Sequence, residues 1–240
     1  MTEGAAQVRL ASYNIHRCIG RDRRRDPDRI VAVLRELDAD VVALQEVETH
    51  PNGERDFIGQ LEAGTGLQVI PGPTLLAADH QYGNALLTRL PIRAVRRLDL
   101  SLLDREPRGA LDVDLEPEGR LLQVMATHLG LHPLERRVQI RQILEHLHPE
   151  RRHPVALIGD INEWFSWGRP LGWLHRHFGK PPAPWTFPAR WPLLALDRIW
   201  FAPREDLVGV AAHRSPTARI ASDHLPVTAT VRLPEASRAW

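Results

Sequence analysis

Short apolar runs separated by polar and turn-forming residues recur along the whole chain, a pattern that predicts many strands and few helices. The nine predicted strands span residues 8–15, 41–47, 84–90, 110–115, 121–128, 155–160, 196–201, 207–211 and 226–233. The continuous apolar run at 41–47 is typical of a strand that is covered on both faces.

Two segments have helical spacing. In the first, Asp26 is a candidate N-cap, Pro27 suits the first helical position, and apolar residues recur between Ile30 and Leu37. The second covers residues 133–147, and a shorter helix is expected around 171–178. Strands linked partly by hairpins and partly by helices predict an α/β protein with sheets packed together and helices outside. We expect residues 1–240 to form a single domain.

Composition narrows the class of protein. Hydrophobic residues make up 43% and charged residues 25%, as in ordinary globular proteins. The single cysteine, Cys18, excludes an internal disulfide and fits a reducing compartment. No apolar run approaches the roughly 20 residues of a membrane span, and the first residues lack the apolar centre of a secretory signal. A cytoplasmic location is therefore expected. The net charge of +1 lacks the basic excess of a dedicated nucleic-acid binder.

Polar residues that can carry chemistry stand at the ends of the predicted strands. These residues are Asn14, Glu46, His128, Asp160, Asn162, Asp197, Asp223 and His224. In an open α/β sheet such strand ends converge on one edge, where ligands bind. Glu46 is the most informative in the first half, because a carboxylate in an apolar strand is costly to bury unless it is paired or metal-bound.

Each of these residues also has an ordinary structural explanation. Asn14 alone could simply end a strand, Glu46 could belong to a buried ion pair, and Asp160 could cap a helix. Asp197 could pair with Arg198 at the surface, and His128 could be a hydrogen-bonded core histidine. A functional interpretation therefore depends on the residues occurring together.

Eight short motifs occur in one order along the chain: YNIH, LQEV, GNALLTR, PRGAL, ATHLG, GDIN, LDRIW and SDHLPV, between Tyr13 and Val227. In this order they resemble the endonuclease/exonuclease/phosphatase superfamily. Its members include deoxyribonuclease I, apurinic endonucleases of the exonuclease III type, neutral sphingomyelinases and inositol polyphosphate 5-phosphatases. This chain looks most like small bacterial members of uncertain substrate. The resemblance implies a four-layer α/β sandwich in which two mixed sheets pack face to face.

The resemblance also implies a role for each motif residue. Glu46 would ligate a divalent metal, Mg²⁺ or Mn²⁺, with Asn14 beside it and Asp223 at the metal or polarising the site. Asp160 would position or deprotonate the attacking water and would itself be held by Asn162.

The remaining motif residues would contact the phosphate. His224, oriented by Asp197, would contact the scissile group, and His128 would be a second phosphate-contacting or acid group. Arg108 would bind a phosphate oxygen, with Arg105 as its substitute, and Asn84 would also bind the phosphate.

One departure from the family pattern lies two residues after Asn14, where some members have an acid and this chain has His16. The metal count and the stabilisation of the leaving group are therefore open.

Elementary chemistry agrees with these roles. Phosphodiester cleavage places negative charge on oxygens that Mg²⁺ and a cationic His or Arg can stabilise. Mg²⁺ prefers oxygen ligands and retains several waters, so one or two carboxylates suffice. A histidine beside Asp197 should have a raised pKa and stay protonated near neutral pH. No zinc-type cysteine or histidine spacing is present.

Two segments have two interpretations each. The run Arg21 to Asp26 could clamp a phosphate backbone or form a solvated loop. The tryptophans between Trp164 and Trp191 could stack bases, rest on lipid, or pack a proline-rich loop. The WTFP motif, Trp185 to Pro188, resembles a family motif that leads towards Asp197.

The expected function is hydrolysis of a phosphodiester by direct attack of water. Nuclease-like activity, with nucleic acid as the substrate, is expected first. The alternative substrate is a phospholipid or inositol-phosphate head group. A third possibility, from a different class, is a catalytically inactive interaction module on the same fold. No sequence feature points to an obligate protein partner.

Overall fold

A computed structural model describes residues 6–49, 56–76, 80–147 and 153–233. Over these ranges the chain forms eleven strands and five α-helices. The strands are β1 (Ala6–Asn14), β2 (Val41–Thr49), β3 (Gln68–Leu76), β4 (Gln81–Thr88), β5 (Ile92–Asp99), β6 (Gly109–Leu115), β7 (Leu122–His128), β8 (Val155–Asp160), β9 (Asp197–Ala202), β10 (Leu207–Ala212) and β11 (Val227–Leu233). The helices are α1 (Pro27–Leu37), α2 (Phe57–Thr65), α3 (Pro133–His146), α4 (Arg169–Phe178) and α5 (Ala218–Ala221).

The strands form two mixed sheets. The first sheet has the order β10-β11-β1-β2-β4-β3, and the second has the order β5-β6-β7-β8-β9. The central pairs β1–β2 and β7–β8 are parallel, whereas their outer neighbours run antiparallel to them. The ends of the central strands therefore lie beside the beginnings of β4, β6, β9 and β11.

Three apolar clusters separate four layers. The cluster between the two sheets includes Leu10, Leu86 and Ile158. A second cluster joins the first sheet to α1 and α2, and a third joins the second sheet to α3 and α4. The predicted four-layer α/β sandwich, with two mixed sheets face to face and helices outside, is confirmed. Among the described residues, no helix is long and apolar enough to cross a membrane.

The nine predicted strands and the predicted helices are confirmed, with shifts of one to three residues at most ends. At the start of α1, the Asp26 side chain accepts a hydrogen bond from the Arg29 backbone N–H, and Pro27 follows, as predicted. β3, β5, α2 and the four-residue α5 were not predicted from the sequence. Proline and glycine interrupt the apolar pattern of β3, which they can do because β3 is an edge strand. β5 is also an edge strand, and its residues alternate between half-buried and exposed positions. α2 contains glycine.

Gly159 allows β7 and β8 to approach closely immediately before Asp160. Its φ is 150°, and an added Cβ would lie 1.9 Å from the backbone oxygen of Thr127. We expect Gly159→Ala to lower the free energy of unfolding by about 3 kcal/mol or more, because both backbones would have to move. Urea unfolding of the variant measures this loss.

The matched control is Gly172→Ala in α4, where an added Cβ meets no atom within 4 Å. Alanine is favoured over glycine in a helix by about 1 kcal/mol, so this variant should be as stable as the parent or more so. Equal stability of Gly159→Ala and the parent would contradict the packing described for β7 and β8.

Candidate active site

The sandwich has one end, here named the site rim, at which the sequence-predicted residues meet. It consists of the C-terminal ends of β1, β2, β7 and β8, the N-terminal ends of β4, β6, β9 and β11, and the loops that join them. The two sheets are linked across it, since Asn14 Nδ2, at the end of β1, donates to Asp160 Oδ2, at the end of β8, over 3.1 Å.

Asp197 and His224 form a buried pair at the site rim. His224 Nδ1 lies 2.8 Å from Asp197 Oδ2, which also accepts a hydrogen bond of 2.6 Å from Thr186 Oγ1. The Phe187 ring packs against the imidazole, with the ring centres 4.8 Å apart. Burial alone would lower the pKa of His224, but the carboxylates of Asp197 and Asp160 raise it to about 10. His224 is therefore an imidazolium at neutral pH.

Asp160 faces the free nitrogen of that imidazolium. His224 Nε2 lies 3.8 Å from Asp160 Oδ2, too far for a direct hydrogen bond. The other carboxylate oxygen, Oδ1, accepts the backbone N–H of Asn162 at 2.9 Å. Asn162 has a left-handed backbone, with φ 53°, which asparagine tolerates better than most residues. The turn after β8 thus fixes the orientation of the carboxylate.

His128, at the end of β7, is neutral. Burial and the nearby Arg108 lower its pKa to about 3, despite the opposing effect of Asp160. Arg108 Nη1 lies 3.1 Å from His128 Nδ1, and an arginine can only donate. Nε2 also faces a donor, so the neutral ring can accept a hydrogen bond from only one of the two neighbours; Nε2 lies 3.7 Å from Asp160 Oδ2. Asn162 Nδ2 lies 3.1 Å from the same nitrogen and donates to the Leu129 carbonyl at 2.9 Å.

Glu46 lies in an irregular part of β2. The register with β4 shifts between Leu44 and Val47, and Glu46 has a φ of 58°, an unfavourable value for glutamate. Strained backbone of this kind concentrates at functional sites. Burial raises the pKa of Glu46, although Asn14 Nδ2 donates to its Oε1 at 3.0 Å. A cation at this position would offset that burial.

Asp223 lies at the more open side of the group. Its Oδ1 is 3.8 Å from His16 Nδ1, and its side chain is 38% exposed. Asp223 adds to the raised pKa of Glu46, so the two carboxylates repel each other. Ser222 Oγ donates to the backbone oxygen of Asn14 at 2.8 Å and thereby joins the loop before β11 to the end of β1.

Asn84, on β4, is almost fully buried. Its Nδ2 donates to the carbonyl of Gly109 at 3.1 Å, so it supports the first residue of β6, directly after Arg108. Arg105, in contrast, is exposed on the preceding loop. Arg108 is the residue that the fold directs towards His128, and its Nη2 also donates to Glu106 at 3.1 Å.

The donor set suits a hard divalent cation. Among the predicted site residues, four carboxylates meet two cationic side chains, and the carboxylates of Glu46 and Asp223 supply oxygens of the kind that Mg²⁺ prefers. Asn14 is less available as a metal ligand, because its Oδ1 already accepts a hydrogen bond of 3.0 Å from the backbone N–H of His16. Asp160, Asp197 and His224 also offer ligand atoms within 4.8 Å of one another. That second grouping does not suit a metal, because its imidazole is protonated and bound to a carboxylate.

Sequence reasoning missed a supporting ion pair. Arg136 on α3 donates to Glu163 at 3.3 Å and to the backbone oxygens of Gly130 and Leu131; the first two contacts are buried and the third is partly buried. The pair joins the loop after His128 to the loop after Asn162. Arginine and glutamate are usually exposed, so neither residue type signals such a position. Thr186 was hinted at only by its WTFP motif.

The surface pairing of Asp197 with Arg198, considered as an alternative from sequence, is wrong. Asp197 is completely buried and bonds to His224 and Thr186 instead. A fully buried carboxylate needs such partners, because an unpaired charge there would be prohibitively unfavourable.

Comparison with known proteins agrees with the motifs. The model of the endonuclease/exonuclease/phosphatase family matches residues 11–224. Over 230 residues the chain is 31% identical to the uncharacterized protein YbhP of Escherichia coli K12, covering 83% of this chain and 86% of that protein. The fold is similar to that of an endonuclease/exonuclease/phosphatase protein from Beutenbergia cavernae, with a TM-score of 0.76, 22% identity, and coverage of 96% of this chain and 72% of that one. D. rerio TDP2 in complex with a single-stranded DNA product has a TM-score of 0.69 and 18% identity, covering 94% of this chain and 98% of that one.

The match with the family model extends over nearly all of the chain and includes every site residue named above. The protein therefore belongs to the endonuclease/exonuclease/phosphatase family. Membership, together with the buried group of acids and histidines, indicates a metal-dependent phosphoester hydrolase.

Proposed function

We propose that this chain hydrolyses phosphodiesters with Mg²⁺ or Mn²⁺ by direct attack of water, without a covalent enzyme intermediate, and that it works as a single catalytic domain. The observation that carries the proposal is the buried series Asp197–His224–Asp160, in which a fixed imidazolium faces a fixed carboxylate across 3.8 Å. Such a pair can stabilise a phosphate and orient a water at the same time.

Asp160 is the proposed base. Its Oδ1 is occupied by the Asn162 backbone N–H, and its Oδ2 accepts from Asn14 while keeping a second lone pair. A water bound at Oδ2 would be held in one orientation and could pass a proton to the carboxylate as its oxygen bonds to phosphorus and the P–O ester bond on the opposite side breaks. Asn162 thus acts on the reaction through Asp160.

His224 is the proposed electrostatic stabiliser. With Nδ1 committed to Asp197, the Nε2–H is the donor that a non-bridging phosphate oxygen would meet. Because the ring is already charged and held by Asp197 and Phe187, it needs no rearrangement as negative charge develops.

His128 and Arg108 are proposed to act as neutral and cationic phosphate contacts. The low pKa of His128 makes it a poor general acid near neutral pH, so of its two predicted roles we favour phosphate contact. Arg108 contacts the ring at Nδ1 and brings positive charge to the same side.

Glu46, Asp223 and Asn14 are the proposed metal ligands. A divalent ion held there would neutralise phosphate charge and lower the pKa of bound water. Without an ion, the phosphate would approach a site in which carboxylates outnumber cations, which is unfavourable for an anionic substrate.

Nuclease-like activity is the first substrate proposal, and the similarity of the fold to TDP2, whose structure holds a DNA product, supports testing it. The alternative is a phospholipid or inositol-phosphate head group. Salt distinguishes them, because affinity for a duplex should fall steeply with salt while affinity for a small head group should not.

The proposal is tested with bis(p-nitrophenyl) phosphate and a chiral phosphorothioate diester. We expect hydrolysis that requires Mg²⁺ or Mn²⁺ and stops with chelator, and inversion of configuration at phosphorus, as a single displacement requires. Retention of configuration would indicate a covalent intermediate, and full activity in chelator would contradict the metal requirement.

A further inference from the structure

Exposed apolar side chains are concentrated at the site rim. Within the described ranges, sixteen large hydrophobic residues are exposed, and twelve of them lie at this end of the sandwich, in loops, in strand ends, in the first turn of α3 or in the short α5. Isolated exposed apolar residues are ordinary, but their concentration around a catalytic group points to an interaction surface.

The aromatic members lie on two loops that flank the catalytic acids. Trp164, Phe165 and Trp167 follow β8, and the rings of Phe165 and Trp167 are 5.3 Å apart. Trp185 and Trp191 lie in the loop before β9, where a bridge between residues 187 and 194 shapes a hairpin. Trp167 is 80% exposed and Trp191 is 70% exposed. Because Asp160 pairs with Asp197 in the sheet, both loops leave the same edge.

Aliphatic side chains complete the apolar surface. Leu131 and Leu134 follow β7, Leu193 belongs to the hairpin, and Leu103 is 94% exposed on the loop before Arg108. Aromatic rings can stack on nucleic-acid bases, but exposed leucines cannot. A mixture of Trp, Phe and Leu is typical of protein surfaces that enter the boundary between head groups and acyl chains.

A basic loop adjoins this apolar surface. Between residues 17 and 26 the chain has five arginines and two aspartates, and this loop follows β1 at the site rim. Both aspartates, Asp22 and Asp26, form salt bridges with Arg29 of α1 at 2.8 Å rather than with arginines of the loop. Both acids of the loop are thus paired with a residue outside it, and the loop presents positive charge. Arg17 additionally lies over the Tyr82 ring, which holds its side chain beside the site.

We propose that the site rim docks on an anionic phospholipid surface, so that a lipid head-group phosphodiester reaches Asp160 and His224. As a statement about substrate, this inference rests on the head-group alternative of the proposed function; as a statement about binding, it does not. Arginines near an anionic membrane are attracted to its negative surface potential, and the apolar side chains add interfacial burial.

The experiment measures binding separately from catalysis. The Asp160→Asn protein, which cannot consume the lipid, is sedimented with vesicles of phosphatidylcholine with or without phosphatidylglycerol. We expect binding to the anionic vesicles that weakens as salt rises. Adding Trp167→Ser and Trp191→Ser should reduce the affinity by about tenfold or more, since two interfacial anchors are lost.

The matched control is Val208→Ser, which removes an exposed apolar side chain from β10 at the opposite end of the sandwich. This control should bind vesicles like the parent. When the two tryptophan substitutions are made in a chain that keeps Asp160, hydrolysis of bis(p-nitrophenyl) phosphate should be unchanged. Unchanged hydrolysis shows that the variant protein is folded.

Two results would overturn the inference. One is absence of binding to anionic vesicles, or binding that both tryptophan substitutions leave intact. The other is tight binding of a single-stranded oligonucleotide that those substitutions abolish without any vesicle binding. Vesicle binding by a protein that hydrolyses no phosphodiester would contradict the proposed function while leaving the docking surface in place.

Discussion

Replacement of Asp160 by Asn should reduce kcat/KM for bis(p-nitrophenyl) phosphate by about 10²–10⁴-fold, the range expected for loss of a general base. Asparagine matches the shape of aspartate, and its Oδ1 can still accept the Asn162 N–H, so the one hydrogen bond lost is that from Asn14 Nδ2, which would face the new Nδ2. The variant should therefore fold normally but cannot take a proton from water. The loss should appear mainly in kcat, because phosphate contacts from His224, His128 and Arg108 remain.

Asp38→Asn is the matched control for this experiment. Asp38 makes an exposed salt bridge with Arg89 at 3.0 Å, on the turn after α1 and away from the site rim. Its replacement should leave the kinetics unchanged. If Asp160→Asn retained the activity of this control, Asp160 would not be the base, and the interaction-module alternative would have to be reconsidered.

Replacement of Glu46 by Gln should weaken metal binding by about 10–100-fold or more, since altering even the groups that support metal ligands has effects of that size. The variant removes one negative charge and keeps the length of the side chain. Calorimetric titration with Mn²⁺ measures the change directly, and activity should recover in part at high metal concentration. This recovery distinguishes a ligand from a base, because added metal should not rescue Asp160→Asn.

Replacing Glu46 by Gln should also remove the energetic cost of burying a charged carboxylate. Burial raises the pKa of this carboxyl, so the neutral glutamine should not destabilise the metal-free protein. Glu145→Gln, at an exposed position of α3, serves as the control. Unchanged Mn²⁺ affinity in Glu46→Gln would place the ion elsewhere, with Asp160 and Asp223 as the remaining oxygen donors.

The sequence was sufficient to predict the strands and helices that carry the site, because their apolar patterns are regular and the site motifs end them. β3 could not be recognised, since Pro71, Gly72 and Pro73 interrupt it, and only its position at a sheet edge makes them tolerable. The residue types at the site were equally visible. The hydrogen bonds between these residues could not be predicted, because Asn14 and Asp160 meet only when the two sheets pack together.

Protonation states also depended on the fold. A raised pKa for His224 was predicted from the expected closeness of Asp197, and the geometry agrees. The neutrality of His128 was not predicted, because it depends on burial and on Arg108. Likewise, the charge of the loop between residues 17 and 26 could not be judged from composition, since Arg29 lies outside it and pairs with both of its acids.

The most direct test of the proposed chemistry is the metal-dependent kcat/KM for bis(p-nitrophenyl) phosphate in the parent and in His224→Ala, with Mn²⁺ affinity measured in both. We predict a fall of about 10²-fold or more with metal affinity nearly unchanged, because the variant loses one charge-stabilising group but no metal ligand. Equal activity in the two proteins at the same metal occupancy would contradict the role of the Asp197–His224–Asp160 series in phosphodiester hydrolysis.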